Sequence, residues 1–153
     1  MEAEKHPATE KVFAVKDASP TKPNRWLVLP RTAFDGANPL AQMTAEDRLA
    51  LWTKAIEQGR KLWDDGWGVA FNSDISRQQC HMHVHVGKLL SGQEPDDQKE
   101  LAQDTPKRAA GVYVNGPAEI PVIADGTGMW FHPVGNRLHV HTGELTTETV
   151  LLR

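Results

Sequence analysis

The chain has 153 residues, of which 39% are hydrophobic and 24% are charged, with a formal net charge of −3. This length suits one domain with one sizeable core. The small negative charge argues against broad binding to nucleic acid or to anionic membrane surfaces.

Cysteine usage and hydropathy bound the cellular setting. The single cysteine, Cys80, excludes an internal disulfide and fits a reducing compartment. No stretch of the sequence is long and apolar enough to span a bilayer, and the N-terminus lacks the apolar run of a signal peptide. We therefore expect a protein without a membrane span, cytoplasmic as the sequence stands and periplasmic if a leader has been removed.

The first part of the chain is predicted to contain two strands. Residues 1–10 are polar and are predicted to be loose, whereas residues 11–153 are predicted to form a single domain. Apolar runs predict short strands at 11–15 and 25–31, the second stopped by a proline. Residues 32–44 are predicted to form a loop.

Residues 45–63 give the strongest periodic signal in the chain. Apolar residues recur there at spacings of three and four, which predicts an amphipathic helix. Thr44 is the expected N-cap, and Glu46 and Asp47 follow in the first turn, where acidic side chains favour the helix dipole.

The remainder of the chain predicts mostly strands. Residues 67–72 and 79–87 are expected to pair as a hairpin, next to the strand at 25–31 and packed against the helix. Further short strands are expected in the segments "GVYVNG", "IPVIA", "GMWFHPVGNRLHVHTGE" and "TVLLR". The order of elements indicates an α+β domain with a mainly antiparallel β-sheet and one long packed helix.

Three histidines stand at every second position in the segment "RQQCHMHVHVGKLL" (77–90). Because side chains alternate across a strand, His81, His83 and His85 share one face. Three apolar residues alternate with them and point to the other face: Met82, Val84 and Val86. The strand is therefore predicted to have a buried apolar back and a polar front, from which the ring of His83 could be removed without opening a core cavity.

A metal ion could use two of these histidines but not easily all three. At ~3.3 Å per residue, the α-carbons of His81 and His85 lie about 13 Å apart on a straight strand. An imidazole that binds zinc at about 2 Å cannot easily reach over that distance to share one ion with the middle ring.

Phosphoryl or nucleotidyl transfer can use all three rings. A neutral imidazole nitrogen is a good nucleophile that can carry a covalent intermediate, while flanking rings contact the phosphate oxygens. Arg77, Gln78 and Gln79 precede the histidines and are donors that could bind the phosphate as charge develops.

A second group of histidines occurs near the C-terminus. His132, His139 and His141 are followed by Glu144, and the alternation of a strand places His139 and His141 on one face. Three interpretations stay open: a structural or solvent-facing role, a role in lining the pocket of the first three histidines, and a metal site made by His139, His141 and Glu144.

The segment "HMHVHVG" resembles the His-x-His-x-His signature of the histidine triad (HIT) superfamily. The wider context is similar to the CDP-diacylglycerol pyrophosphatase branch: "WLVLPR", a loop, a long helix, and "VAFNSDISRQQCHMHVHV". In that branch an Asn-Ser stretch leads through Arg-x-Gln to the histidines. The matching positions here are Asn72, Ser73, Arg77, Gln79, His81, His83 and His85, and the resemblance covers residues 24–90.

The resemblance implies a HIT-like fold and a metal-independent hydrolase, or a nucleotidyl or phosphoryl transferase, that works without a cofactor. The implied substrate is a phosphoanhydride in a nucleotide or nucleotide-lipid conjugate, and a homodimer is left open. The resemblance further implies that His83 is the nucleophile and that His81 and His85 orient it and assist the leaving group. The residues then expected to bind the substrate are Arg77, Gln78, Gln79, Asn72 and Arg31.

One position departs from the pattern of nucleotide-binding HIT proteins. Those proteins often carry a further histidine in a "PxxH" arrangement, where this chain has "PRTA" and therefore Ala33. Two alternatives stay open beside the hydrolase. One is a metal-dependent enzyme that uses the second histidine group or two members of the triad, and the other is a nucleotide-binding module with little turnover.

Overall fold

The computed structural model describes residues 11–31, 39–72, 82–90, 111–122, 127–144 and 150–152. In chain order the elements are β1 (Val12–Lys16), β2 (Trp26–Pro30), α1 (Pro39–Gln42), α2 (Ala45–Trp63), β3 (Trp67–Phe71), β4 (Val84–Lys88), β5 (Val112–Val114), a 3₁₀ turn (Pro117–Glu119), β6 (Gly128–Val134) and β7 (Arg137–Glu144). Over these residues the strands form one antiparallel sheet of seven strands, with one main helix. The predicted α+β class with a mainly antiparallel sheet is confirmed.

The bounds of α2 agree with those predicted from the sequence. The hydroxyl of Thr44 accepts a hydrogen bond of 3.1 Å from the backbone N–H of Asp47, which satisfies one of the free donors of the first turn. Glu46 and Asp47 lie in that turn, at the positive end of the helix dipole. The helix ends at Trp63, and the chain turns away through Asp64, which has a positive φ of 51°.

The strands are ordered β1-β2-β4-β3-β6-β7-β5 across the sheet. The strand β4, which carries His85, therefore lies between β2 and β3, and the three strands are neighbours, as predicted. The register pairs Trp26 with Val86 on one side and Ala70 with His85 on the other. The strand runs from Val84 to Lys88, so Met82 and His83 of the predicted span 79–87 are not in it, and residues 79–81 lie outside the described part of the chain.

The main core lies between α2 and one face of the sheet, which we call the helix face. Val84 and Val86 of β4 are fully buried there, together with Leu51 and Ala55 of α2. Full burial of a Val or Leu side chain contributes about 1.5–3 kcal/mol to the free energy of unfolding. The apolar positions that alternate along β4 therefore fix which way this strand faces.

The helix approaches the sheet closely at Gly59. A Cβ atom at this position would lie 2.7 Å from the Cβ of Trp67, at the start of β3. Trp67 is fully buried and packs edge to face on Phe131 of β6, with ring centroids 5.9 Å apart. A residue without a side chain is needed at this contact.

The opposite face of the sheet, which we call the histidine face, is formed by the alternate residues. The register of the strands places several residues on it, among them Leu27, Ala70, His85, Trp130, His132, His139 and His141, and the alternation along the chain adds Arg25 and His83. A second, smaller apolar cluster covers part of this face, where Val150 and Leu151 pack on Ala70 and Trp130. Leu151 also forms an isolated bridge with Leu89.

Three local expectations differ from the structure. Residues 120–122, the described part of "IPVIA", are not a strand, because Ile120 closes the 3₁₀ turn and Pro121 has no N–H for a ladder. The predicted loop at 32–44 contains the short helix α1, which starts at Pro39. Of the segment "TVLLR", the described residues 150–152 contribute a single bridge, at Leu151, in place of the predicted strand.

Candidate functional site

The start of β4 carries the two triad histidines that the structure describes. His85 lies inside β4, and His83 precedes the strand by one residue. Their rings meet edge to face, with centroids 5.1 Å apart and an interplanar angle of 76°. Met82 and Val84 alternate with them and are 1% and 0% exposed in the core. The predicted alternation is confirmed for this stretch.

The front of β4 is not the open polar surface that the alternation predicted. His83 and His85 are only 7% and 6% exposed. The C-terminal residues Val150 and Leu151 pack over neighbouring positions of the histidine face and help to enclose it. The expectation that the ring of His83 can be removed without opening a cavity is therefore wrong, because the ring occupies buried space.

A buried arginine contacts the triad from the neighbouring strand. Arg25, which precedes β2 and is 1% exposed, lies with its Nη1 atom 3.4 Å from Nδ1 of His85. A guanidinium can only donate, so Nδ1 of His85 accepts, and the neutral ring then carries its proton on Nε2. This contact assigns the tautomer of His85, in which Nε2 carries the proton.

The position of Arg25 is fixed by the backbone around it. Its guanidinium also donates to the carbonyl oxygens of Leu151, at 3.2 Å, and Leu152, at 3.4 Å. Gly87 leaves room for the side chain, since a Cβ atom there would lie 3.5 Å from Nε of Arg25 and 3.2 Å from Cβ of Leu151. Arg25 thus ties the C-terminal segment, β2 and β4 together beside His85.

Two of the predicted substrate-binding residues lie at the same edge of the sheet as His83. Because β2 and β3 are both antiparallel to β4, their ends lie beside its start. Arg31 directly follows β2, is half-buried, and has its guanidinium 5.5 Å from the ring centroid of Phe13. Asn72 directly follows β3 and is 5% exposed. Arg31, Asn72 and His83 are therefore grouped by the topology.

The other predicted site residues lie outside the part of the chain that the structure describes. They are His81, which is the first member of the triad, and the three preceding donors, Arg77, Gln78 and Gln79. Their roles stay predictions.

The three C-terminal histidines converge on the histidine face. His139 and His141 lie on β7 two residues apart, and His132 of β6 is directly opposite His139 in the register. One potential ligand nitrogen from each ring can be chosen so that all three lie within 4.8 Å of one another. His132, His139 and His141 are 6%, 8% and 0% exposed. The solvent-facing interpretation of this group is therefore wrong.

Aromatic neighbours stack on the faces of two of these rings. The ring of His141 stacks on Trp130, with centroids 4.0 Å apart and planes within 9°. The ring of His139 stacks on Tyr113, at 4.2 Å and 4°. The Nε2 atom of His139 lies near Gly111, where an added Cβ atom would come within 2.6 Å of it. Only glycine leaves this ring its observed place.

The two histidine groups share one face but do not form one site. The registers place His85 beside Ala70, Ala70 beside Trp130, and Trp130 beside His141, in one row across four strands. Three steps between strands span about 14 Å. The interpretation that the second group lines the triad's immediate pocket is not supported by this spacing, with Ala70 and Trp130 lying between the groups.

The predicted metal set is only partly within the described residues, because the side chain of Glu144 lies outside them. The prediction combined His139, His141 and Glu144, whereas the rings that converge are His132, His139 and His141. Glu144 is the last residue of β7 and lies opposite Gly128, beyond a register shift. Across the hairpin, His132 supplies a third potential ligand that the prediction did not include, and the part predicted for Glu144 stays a prediction.

Sequence reasoning missed two features of these groups. The role of Arg25 depends on the pairing of β2 with β4, and its signal in the sequence was a lone arginine at the start of an apolar strand. His132 was noticed, but its partnership with His139 needed the register of the β6–β7 hairpin. The turn residue Gly135, with a φ of 60°, marks that hairpin.

Comparisons with known proteins add no family assignment. No protein-family model matches the chain, and a search of curated proteins finds no match. Among the described residues, no helix has both the length and the hydropathy that crossing a membrane requires.

Proposed function

We propose that this protein is a hydrolase of the HIT type, with a HIT-like fold, that cleaves a phosphoanhydride through a covalent intermediate on His83. The proposal is supported by the His-x-His-x-His spacing and by the placement of His83 at the start of β4, between the ends of β2 and β3. Arg31 and Asn72 at those ends offer a cation and an amide to phosphate oxygens.

The observation that carries the proposal is the contact between Arg25 and His85. Nδ1 of His85 accepts from a guanidinium, so this nitrogen is not available to a metal ion. The buried cation favours an anionic partner near the triad, and the tautomer that this contact assigns makes Nε2–H of His85 a hydrogen-bond donor, the type of group that binds phosphate or leaving-group oxygens. Both features suit phosphate chemistry.

The reaction we propose has two displacements. In the first, the lone pair of a His83 nitrogen attacks one phosphorus, and a P–N bond forms while the bond from that phosphorus to the bridging oxygen breaks. The bridging oxygen leaves with the second phosphate. Water then attacks the phosphorus, the P–N bond breaks, its electron pair returns to His83, and the proton lost by water passes to solvent.

The substrate class follows from the resemblance and from the polar groups around His83. We propose a nucleotide or nucleotide-lipid conjugate that contains a phosphoanhydride, without a cofactor. A panel of such conjugates that differ in base and tail would identify the preferred member. Tight binding of a nucleotide with no turnover of any conjugate would favour a binding module instead.

Rapid-quench labelling tests the covalent step. Substrate carrying a radioactive phosphate at the transferred position should give an acid-labile, base-stable adduct on the wild-type chain. His83→Asn should give none, while His6→Asn, a matched change in the polar N-terminal stretch, should label like the wild type. An adduct that persists in His83→Asn would overturn the assignment of the nucleophile.

A further inference from the structure

We propose that His132, His139 and His141 form a binding site for a divalent transition metal of the zinc class, separate from the triad. The proposal does not depend on the proposed function. It starts from the convergence of three buried imidazoles whose potential ligand nitrogens lie within 4.8 Å of one another.

The hairpin of β6 and β7 builds this triangle from its sequence. His139 and His141 project from the same face of one strand, and His132 projects from the neighbouring strand, directly opposite His139. Side chains two residues apart along a strand are separated by about 7 Å, and directly opposite pairs by about 5 Å between Cβ atoms. Three imidazoles arranged in this way can turn toward one point, unlike three in a row on one strand.

The observed separations are close to those of a tetrahedral site. With Zn–N bonds of about 2.0–2.1 Å, the nitrogens of a tetrahedral site lie about 3.4 Å apart. Nitrogens now within 4.8 Å must therefore approach by at most about 1.4 Å, which small rotations of the imidazole rings can supply. Three histidines leave one position open, as in sites that also bind water or an anion.

The surroundings restrain the rings before a metal arrives. Trp130 stacks on His141 and Tyr113 stacks on His139, each nearly parallel. The backbone at Gly111 closes the remaining edge of His139. Ligands whose ring planes are fixed by packing lose less freedom on binding, which favours affinity.

The nature of the donors selects the ligand class. Imidazole nitrogen suits zinc, copper, iron and nickel, whereas calcium and magnesium prefer oxygen. An anion site would be expected to turn a guanidinium toward the three rings. Arg137 instead lies 4.8 Å over the ring of Tyr113, which itself stacks on His139. We therefore favour a cation over a phosphate at this position.

Cobalt titration of the full chain tests the site. The protein is stripped with chelator, dialysed and titrated with Co²⁺, whose visible ligand-field bands report tetrahedral nitrogen coordination. We expect one ion per chain, displaced by one equivalent of Zn²⁺. His132→Asn and His139→Asn should each weaken binding by more than about 100-fold, the upper end of the loss seen when a residue that only orients a ligand is changed.

Two matched variants locate the ion. His83→Asn and His6→Asn each remove one imidazole elsewhere and should titrate like the wild type. Equal loss in His83→Asn and His132→Asn would place the ion elsewhere and overturn the site, as would unchanged binding in His132→Asn. Absence of any cobalt binding by the wild type, or binding of inorganic phosphate that competes with cobalt, would also overturn it.

Variants that fail to fold do not leave the proposal undecided. Crystals of the wild type grown with Zn²⁺ give an anomalous difference map at the zinc edge. A peak within bonding distance of all three rings supports the site, and a peak at His83 and His85, or none, overturns it. Because turnover is not measured in either experiment, failure of the hydrolase proposal would leave the result unchanged.

Discussion

The two halves of the sheet carry the same His-x-His spacing in different surroundings. At the start of β4, the imidazole rings of His83 and His85 meet edge to face beside a buried guanidinium. On β7, the rings of His139 and His141 lie 4.3 Å apart, and His132 faces them from the next strand. The comparison shows that the neighbouring strand decides what a pair of alternating histidines can do.

The neighbour of β4 contributes a cation, and the neighbour of β7 contributes a third imidazole. A guanidinium that donates to Nδ1 of His85 occupies a lone pair that a metal would need, and it favours anions. A third imidazole adds another lone pair and favours a soft or borderline cation. We therefore assign phosphate chemistry to the β2–β4–β3 half and metal binding to the β6–β7 half.

Replacement of His83 should have the largest effect, because it removes the nucleophile that we propose for the β2–β4–β3 half of the sheet. His83→Asn should lower kcat by about 10⁴-fold or more, as expected when a covalent nucleophile is removed. Asparagine keeps part of the buried volume, so the fold should be retained, as near-UV circular dichroism would show. Steady-state assays with the best conjugate measure the loss. Activity within tenfold of the wild type would assign the chemistry elsewhere.

Replacement of Arg25 tests whether its guanidinium is needed for stability and activity in the β2–β4–β3 half of the sheet. Arg25→Met leaves two backbone carbonyls and Nδ1 of His85 without a buried donor, so the free energy of unfolding should fall by about 3 kcal/mol. Because His85 loses its orienting contact, kcat should fall more than KM rises. Urea unfolding and steady-state kinetics give the two values.

The control for this change is Arg60→Met, at an exposed position of α2. That variant should stay within about 0.5 kcal/mol of the wild type, because exposed positions away from special contacts tolerate substitution. If Arg25→Met unfolds like Arg60→Met and keeps the wild-type kcat, the guanidinium has no part in the site.

Zinc should stabilise the folded protein through the β6–β7 half of the sheet and not through the β2–β4–β3 half. Zinc at about 100 times its Kd should raise the free energy of unfolding by about 2.7 kcal/mol, because it binds the folded state. The gain should be absent in His132→Asn and present in His83→Asn. Thermal unfolding in the presence and absence of chelator measures it. A gain that is equal in both variants would contradict the division between the halves.

Some features of the fold and of the candidate site could be predicted from the sequence. Short-range patterns were sufficient for α2, where the spacing of apolar residues and the cap at Thr44 set the bounds. They were also sufficient for the alternation of Met82 and Val84 with the triad. These features depend on residues within a few positions of each other, where local geometry dominates.

Features that depend on pairing over long distances were not readable. Arg25 and His85 are separated by 60 residues and meet only because β2 pairs with β4. The burial of the histidine face depends on the C-terminal residue Leu151, whose segment was expected to be a strand of its own. His132 joins His139 only through the hairpin register. In each case a backbone pairing, and not a motif, determines the neighbour.

The smallest expected effect concerns Gly111, and it tests whether close packing holds the ring of His139 in the β6–β7 half of the sheet. Gly111→Ala would bring a Cβ atom within 2.6 Å of Nε2 of His139, so the ring must move. Overpacking of this kind costs about 1–3 kcal/mol, and the displaced ring should also weaken cobalt binding. Gly116→Ala is the matched control, since nothing lies within 4 Å of the added atom and the backbone there is extended, with a φ of −173°. Chemical denaturation and cobalt titration of the two variants should therefore separate. If Gly116→Ala lowers stability and cobalt affinity as much as Gly111→Ala does, close packing against His139 does not hold the ring in place.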